Sequence, residues 1–450
     1  MANVIKLRKG LDIHLQGQAE KTRLSLKSNG HYALVPDDFE GVTPKIVVRE
    51  GDTVKAGDAL FVNKMYPEVR FASPVSGKVT AVVRGDRRKV LCVKVEADAQ
   101  QQYVDFGKRD VETMDGKAVI DALLEAGLFG YIDQLPYAVS TNPSVLPKSI
   151  FVSTLRDKPL ACDFGYEVAG QEVDFTTGLM ALSKIAKTYV GVGKDSPFVS
   201  LPPMQNVEVN IFDGKCPAGN VGVQVNHVDP VNKGEVVWTI GDPTVVLFIG
   251  RLFNSGKVDL RRTVALCGSE VKKPCYVDML VGEELSTLVS NSYDQNHSVR
   301  IINGNVLTGR QTTKDGYLGA HSSEITIIPE GDDNDELLGW IMPRFSQFSV
   351  NRSYFSWLFG KKKYALDARV KGGERHMIMS GEYDRVLPMD IYGEYLVKAI
   401  IAGDIDKMEQ LGIYEVSPED FALAEFVDSS KLELQRIVRE GLNNLRKENA

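Results

Sequence analysis

Residues 214–268 read GKCPAGNVGVQVNHVDPVNKGEVVWTIGDPTVVLFIGRLFNSGKVDLRRTVALCG. Cys216-Pro217-Ala218-Gly219, with Gly222 three residues on, predicts a loop whose backbone turns tightly or passes close to a bound group, because glycine alone takes φ > 0 without steric cost. Glu235–Ile240 reads as a strand, and Asp242-Pro243 as an N-cap followed by a first-turn proline. The run Val245–Ile249 could pass for a buried strand. However, Val245, Ile249, Leu252 and Phe253 fall at i, i+4, i+7 and i+8, and Asn254-Ser255-Gly256 suits a helical stop, so the pattern predicts a helix. Upstream, Ile150–Thr154 reads as a buried strand, Glu172–Lys187 as a helix with Phe175, Leu179, Leu182 and Ala186 on one face, and Tyr189–Val192 as a second strand. This alternation predicts an α/β domain with a largely parallel sheet. Gly191-x-Gly193 lacks the third glycine of a dinucleotide fingerprint and is read as a turn.

Residues 1–100 are β-rich, with glycine turns at Gly51, Gly57 and Gly77. Their pattern resembles the barrel-sandwich hybrid of biotinyl and lipoyl carriers. The tip Asn63-Lys64-Met65-Tyr66-Pro67 misplaces the lysine that such carriers modify, so Lys64 reads as an ordinary surface lysine carrying neither biotin nor lipoyl. A linker at Asp105–Lys117 precedes a helix, Ala118–Leu124, that ends at Gly127. Past the opening stretch, short strands recur at Arg261–Gly268, Tyr276–Val281, Val299–Gly304, Gly309-Arg310 and Ile325–Pro329, with a helix at Glu284–Ser290. Glu330–Glu336 is an acidic loop and a domain boundary. Beyond it Phe345, Phe348, Tyr354, Phe355, Trp357, Leu358 and Phe359 lead into Lys361-Lys362-Lys363. Two readings stand for this segment: a surface that meets a membrane or membrane protein, or core aromatics under a flexible loop. The end is helical, at Ile391–Ala402, Ile405–Leu411, a capped start at Ser417-Pro418-Glu419-Asp420, and a last helix with Leu434, Val438, Gly441, Leu442 and Leu445 on one face.

A chain of 450 residues divides into three or four domains, and 43% hydrophobic with 25% charged residues lets each bury a core. The net charge of -7 argues against nucleic acid, whose phosphates need a basic surface. No run approaches the roughly 20 apolar residues that span a bilayer, and the N-terminus lacks a signal-peptide core, which predicts a cytoplasmic chain. Five cysteines (Cys92, Cys162, Cys216, Cys267, Cys275), never spaced C-x-x-C, read as buried reduced thiols. His14, His31, His227, His297, His321 and His376 lack metal-ligand spacing, and no nucleophile, P-loop or paired-carboxylate motif stands out, so no metal site is assigned.

Pro217, Ala218, Gly219, Gly222, Asp229-Pro230-Val231, Trp238, Ile240 and Gly241 form a pattern. With it go Lys64–Val69, Pro74–Gly77, Asn303–Arg310, Gly372-Gly373-Glu374-Arg375-His376-Met377 and Tyr383–Ile391. Together they resemble a family that comprises the A subunit of the sodium-translocating NADH:quinone oxidoreductase (Na+-NQR), the C subunit of the Rnf complex and, more distantly, the flavin-bearing NADH subunit of respiratory complex I. The first of the three is the nearest. The resemblance implies a multidomain α/β and α+β chain: a biotinyl/lipoyl-like β domain at 1–104, a Rossmann-like α/β domain at 105–257, a β-grasp soluble-ligand-binding domain at 258–330 and a C-terminal helical domain at 331–450.

Three departures from the family pattern carry chemistry. Gln224 and Asn226 stand where an H-x-H pair is usual. Tyr131–Ala138 replaces the glycine-rich phosphate loop of the flavin-binding relatives, and Ser153–Pro159 replaces their acidic stretch, so side chains fill the cradle and Asp133 repels an anion. Residues 276–450 hold no cysteine, so that region alone cannot ligate an iron-sulfur cluster. The expectation is a chain that binds no FMN, NADH or Fe-S. NADH, FAD, FMN and Fe-S then belong to partner subunits.

The resemblance further implies a peripheral subunit on the cytoplasmic side of the bacterial inner membrane. Its partners are the other five subunits of a complex that couples NADH oxidation and quinone reduction to Na+ export, and above all the membrane-embedded flavin subunit. A quinone head needs an apolar slot with one or two hydrogen-bond donors, and the loop Pro217, Ala218, Gly219, Gly222 is its candidate seat. Gly372, Gly373, Glu374 and Arg375 read as a ligand-orienting loop or a structural turn with an internal ion pair. Arg310 reads as an anion partner or as a structural salt-bridge or turn residue. The rival reading is a cofactor-free docking subunit that braces the membrane subunits.

Overall fold

In the computed structural model, residues 3–332, 344–360 and 362–449 are described. A seven-stranded sheet orders its strands Asn3–Lys6, Val207–Asp213, Lys187–Gly193, Ser149–Ser153, Val237–Ile240, Asp133–Leu135, Val139–Ser140. The first five run parallel and the last two antiparallel, as the strand-helix alternation predicts. Helices Glu172–Ile185 and Thr244–Ser255 cover it, burying Phe175, Leu179, Leu182, Val245, Ile249, Leu252 and Phe253. They approach to backbone distance at Gly178 and Gly250, where any Cβ would overlap Val246 O and Asp174 O respectively. Trp238 is wholly buried and meets Phe129 edge-on at 5.3 Å, so one strand residue carries a large share of the core's apolar area.

Thr244–Ser255 is helical because its apolar residues repeat at helical spacing, and it stops at Gly256, which sits in the left-handed region at φ 73°. Gly191 and Gly193 are not a turn. Both lie in the strand Lys187–Gly193, and Gly191 is there because Gln224 of the overlying helix Val221–Val228 fills the space a side chain would need. A glycine in a strand marks close approach as often as a bend.

A six-stranded sheet orders Arg310–Thr312, Val299–Asn303, Glu324–Pro329, Arg261–Cys267, Cys275–Leu280, Arg23–Leu24. Two small β layers, His31–Leu34 with Val90–Ala97, Gly77–Arg84 and Thr53–Val54, and Pro44–Ile46 with Ala59–Asn63 and Arg70–Ala72, form the N-terminal barrel-sandwich domain. Phe39, Phe61 and Phe71 pack at its centre, with ring centroids 4.4–6.3 Å apart. The first strands do not stay with those layers: Asn3–Lys6 and Arg23–Leu24 extend the other two sheets.

The C-terminal part is helical, with Gly393–Ala402, Ile405–Gln410, Ala422–Val427 and Leu434–Glu448 around a core that includes Leu396, Leu434, Val438, Leu442 and Leu445. All five cysteines are free and buried. Residues 333–336 of the acidic loop lie outside the described residues. Among those described, no helix is long and apolar enough to cross a membrane.

Candidate functional site

Parallel strands leave a crevice beyond their carboxyl ends, where loops diverge. Here three such loops meet: Leu155–Lys158 after Ser149–Ser153, Gly219 after Val207–Asp213, and Gly241-Asp242 after Val237–Ile240. Asp38 from the barrel-sandwich domain, Tyr131, the turns 303–310 and 319–324 of the six-stranded sheet, and Glu419 of the helical part complete the walls. The enclosed volume is about 290 Å³.

Most charges in and under these walls are paired with one another. Arg156 reaches Glu167 at 2.7 Å and Asp242 at 2.9 Å, and Arg262 reaches the other oxygen of Asp242 at 2.8 Å. Arg262 also donates to Ala320 O at 2.9 Å and Ser323 Oγ at 3.0 Å. Burial opposes ionisation of Asp242, yet Arg262 and Arg156 outweigh it and hold its carboxyl down at about 2. Asp242 thus does more than cap a helix: it accepts from Thr244 N at 3.3 Å while clamping two buried guanidinium groups. Lys158 pairs with Glu419 across the crevice.

Other lining groups are shifted toward neutrality by burial. Asp38 is pushed up to about 6 although Ala320 N-H donates to it, Asp133 to about 7, and Asp157 to about 6 despite the Gly219 N-H at 2.8 Å. Burial likewise drives His321 down to about 4, so it is neutral at pH 7. Tyr131 packs edge-on against Phe39 at 5.0 Å and His321 at 5.6 Å. Its hydroxyl is buried and has no hydrogen-bond partner among the described residues. An orphaned buried donor is uncommon and calls for a ligand, a water or a strain account.

Of the loop Pro217, Ala218, Gly219 and Gly222, only Gly219 lines the crevice; Pro217 and Ala218 are buried beneath it, and Gly222 faces Asp420 inside helix Val221–Val228. Gly372, Gly373, Glu374 and Arg375 are exposed on an extended segment rather than on a turn with an internal ion pair: neither side chain has an ionic partner among the described residues. Arg310 lies on the strand Arg310–Thr312 at the crevice rim and is no structural salt bridge, having no ionic partner among the described residues; its charge is felt by Asp38. The lining is mixed and largely polar, which corrects the expectation of an apolar slot. Asp38, Tyr131, Arg262 and His321 escape sequence reasoning because residues from 38 to 321 meet only in the fold. Among the described residues no group of three or more His, Cys, Asp or Glu is placed to hold a metal.

Family models match residues 5–98 (NqrA N-terminal barrel-sandwich hybrid domain), 114–258 (NqrA second alpha/beta domain) and 263–314 (NQRA C-terminal domain). The chain is 33% identical to the NqrA subunit of the Na(+)-translocating NADH-quinone reductase from Yersinia pestis, over 99% of this chain and 100% of that one. It is 34% identical to its counterpart from Saccharophagus degradans, with the same coverage. A crystal structure of NAD+-reducing [NiFe]-hydrogenase in the H2-reduced state matches with a TM-score of 0.34 and 11% identity, covering 77% of this chain and 67% of that one.

Proposed function

Because the chain belongs to the NqrA family of Na(+)-translocating NADH-quinone reductase subunits, we propose that it acts as the peripheral member of such a complex and contributes to quinone binding. In this reading the complex oxidises NADH, reduces ubiquinone or menaquinone to quinol and exports Na+. FAD, FMN and Fe-S lie in the other five subunits, which include the membrane-embedded flavin subunit, and the chain sits on the cytoplasmic side of the bacterial inner membrane. We read 1–104 as the biotinyl/lipoyl-like part, 105–257 as Rossmann-like, 258–330 as β-grasp and 331–450 as a helical bundle.

The observation that carries the quinone reading is the orphaned hydroxyl of Tyr131 in the wall of the crevice that Gly219 also lines. A phenol is the donor a quinone carbonyl requires, and glycine leaves room for a ring. The polar walls suit the head group, with the isoprenoid tail outside. Titrating the chain with a short-tailed quinone, followed by protein fluorescence, tests this. Tyr131→Phe removes one hydrogen bond, worth about 1 kcal/mol, and should weaken binding roughly five-fold. Unchanged affinity in the folded variant would exclude the crevice.

The docking-subunit reading has its own support. The pairs Arg156–Asp242, Arg262–Asp242 and Lys158–Glu419 join three parts of the chain and leave few charges free to meet a ligand. Absence of any quinone binding by the wild-type chain would favour it.

A further inference from the structure

Between residues 337 and 366 the sequence holds Arg344, Arg352, Lys361, Lys362 and Lys363 and no acidic residue, in a chain whose net charge is -7. The described part of this segment is not core. Phe345 (53%), Trp357 (53%) and Leu358 (55%) are exposed, and Phe355 and Phe359 are only a little less so. Phe348 alone turns inward, packing on Tyr364 and Phe426 at 5.8 and 6.1 Å.

The exposed groups are organised. Phe345 stacks on Phe355 with centroids 5.5 Å apart, and Lys362 Nζ donates to Phe345 O at 2.7 Å, tying the two ends of the segment together. The Arg352 guanidinium lies 5.3 Å from the Trp357 ring centroid and Lys362 Nζ 5.8 Å from that of Phe359. Cations held over aromatic faces and left open to solvent match the interface of a bilayer. There, tryptophan and phenylalanine rings enter the headgroup layer while arginine and lysine meet phosphates. Lys371, which also pairs with Asp367, donates to Gln347 and braces the segment's base.

We propose that the 344–363 segment is a lipid-contact surface that seats the chain on anionic phospholipid headgroups. Charge decides the occupant: a patch of one sign, set in a protein of the other, is drawn to an anionic surface only locally. At physiological salt the Debye length of about 8 Å screens the remaining carboxylates while the contacting cations act at full strength. The inference extends the peripheral-subunit reading but does not need the quinone site, and vesicles without partner subunits separate the two.

The test is co-sedimentation of the full chain with phosphatidylglycerol/phosphatidylcholine vesicles and with phosphatidylcholine vesicles. Binding is expected to the anionic vesicles, weakened by raised salt. Arg352→Gln with Lys362→Gln should lower partitioning on the order of 20-fold, about five-fold per cation. Trp357→Ser with Leu358→Ser should also lower it, with the urea midpoint of both variants unchanged because the residues are exposed. No sedimentation of wild type, or equal sedimentation of wild type and variants, overturns the proposal. So does a patch whose variants lose capture by detergent-solubilised membrane subunits while no form binds vesicles, which would make it a protein seat and leave the peripheral-subunit reading intact.

Discussion

Gly222 and Asp420 meet at a distance that admits no side chain on the glycine: a Cβ there would overlap Asp420 Oδ2. Asn220 Nδ2 donates to Asp420 Oδ1 at 3.2 Å, and Ser417 N and Oγ donate to Oδ2 at 2.9 and 2.8 Å. The carboxylate is 1% exposed, so the helix Val221–Val228 and the turn Pro418–Phe421 lock two parts of the chain through one side chain. Gly222→Ala should destabilise the protein by about 1–3 kcal/mol, the usual range for overpacking, read as a lower urea midpoint with an unchanged slope.

Asp420 also makes stability fall with rising pH. Burial pushes its carboxyl up to about 6 from an unfolded value near 3.8. The folded state therefore holds the proton more tightly, and the stability it contributes is complete below about pH 4 and lost as pH rises through about 6. The loss is of order 2–3 kcal/mol, from about 1.4 kcal/mol per unit. Asp420→Asn should remove this component, so the difference in stability between the two proteins should change over roughly pH 4–7. A parallel pair of curves would mean that the group is ionised throughout.

The clamp on Asp242 is a buried network, and removing one partner leaves charge uncompensated. Arg262, whose side chain is fully buried, is the sharper case. Arg262→Ala should cost about 3–5 kcal/mol in chemical denaturation. Arg436, exposed between Glu433 and Glu440 on the last helix, serves as the contrast: Arg436→Ala should leave the midpoint within error.

Gly191 and Gln224 should show coupling. Gln224 Nε2 donates to Ser153 Oγ at 2.8 Å and Ala218 O at 3.2 Å, which pins the amide over Gly191. Gly191→Ala alone should be destabilising, and much less so in a Gln224→Ala background, with a coupling energy of about 0.5–3 kcal/mol from a double-mutant cycle. Additive effects would show that the amide has room to move.

Local periodicity made much of the scaffold legible. Phe175, Leu179 and Leu182, and Leu434, Val438, Leu442 and Leu445, face inward as their spacing requires, and Gly256 ends its helix in the left-handed region. What stayed hidden was non-local. Asn3–Lys6 is too short for its alternation to be read, and its partners lie far along the chain at Asn210–Asp213. Gly191 looks like a turn until the helix above it is in place. His321 has no ligand-like spacing in sequence, yet folding brings it against Tyr131. The candidate loop 217–222 was half legible: its tight packing follows from its glycines, but which residue faces the crevice depends on the helix that begins at Val221.

Assembly into a membrane-bound NADH-quinone reductase is tested most directly by co-purification. The tagged full chain is captured from detergent-solubilised membranes of its own host, and the accompanying proteins are identified by mass spectrometry. Integral-membrane and flavin-bearing subunits are expected in stoichiometric amounts. A chain recovered alone from the soluble fraction, with the fold intact, would contradict that assembly.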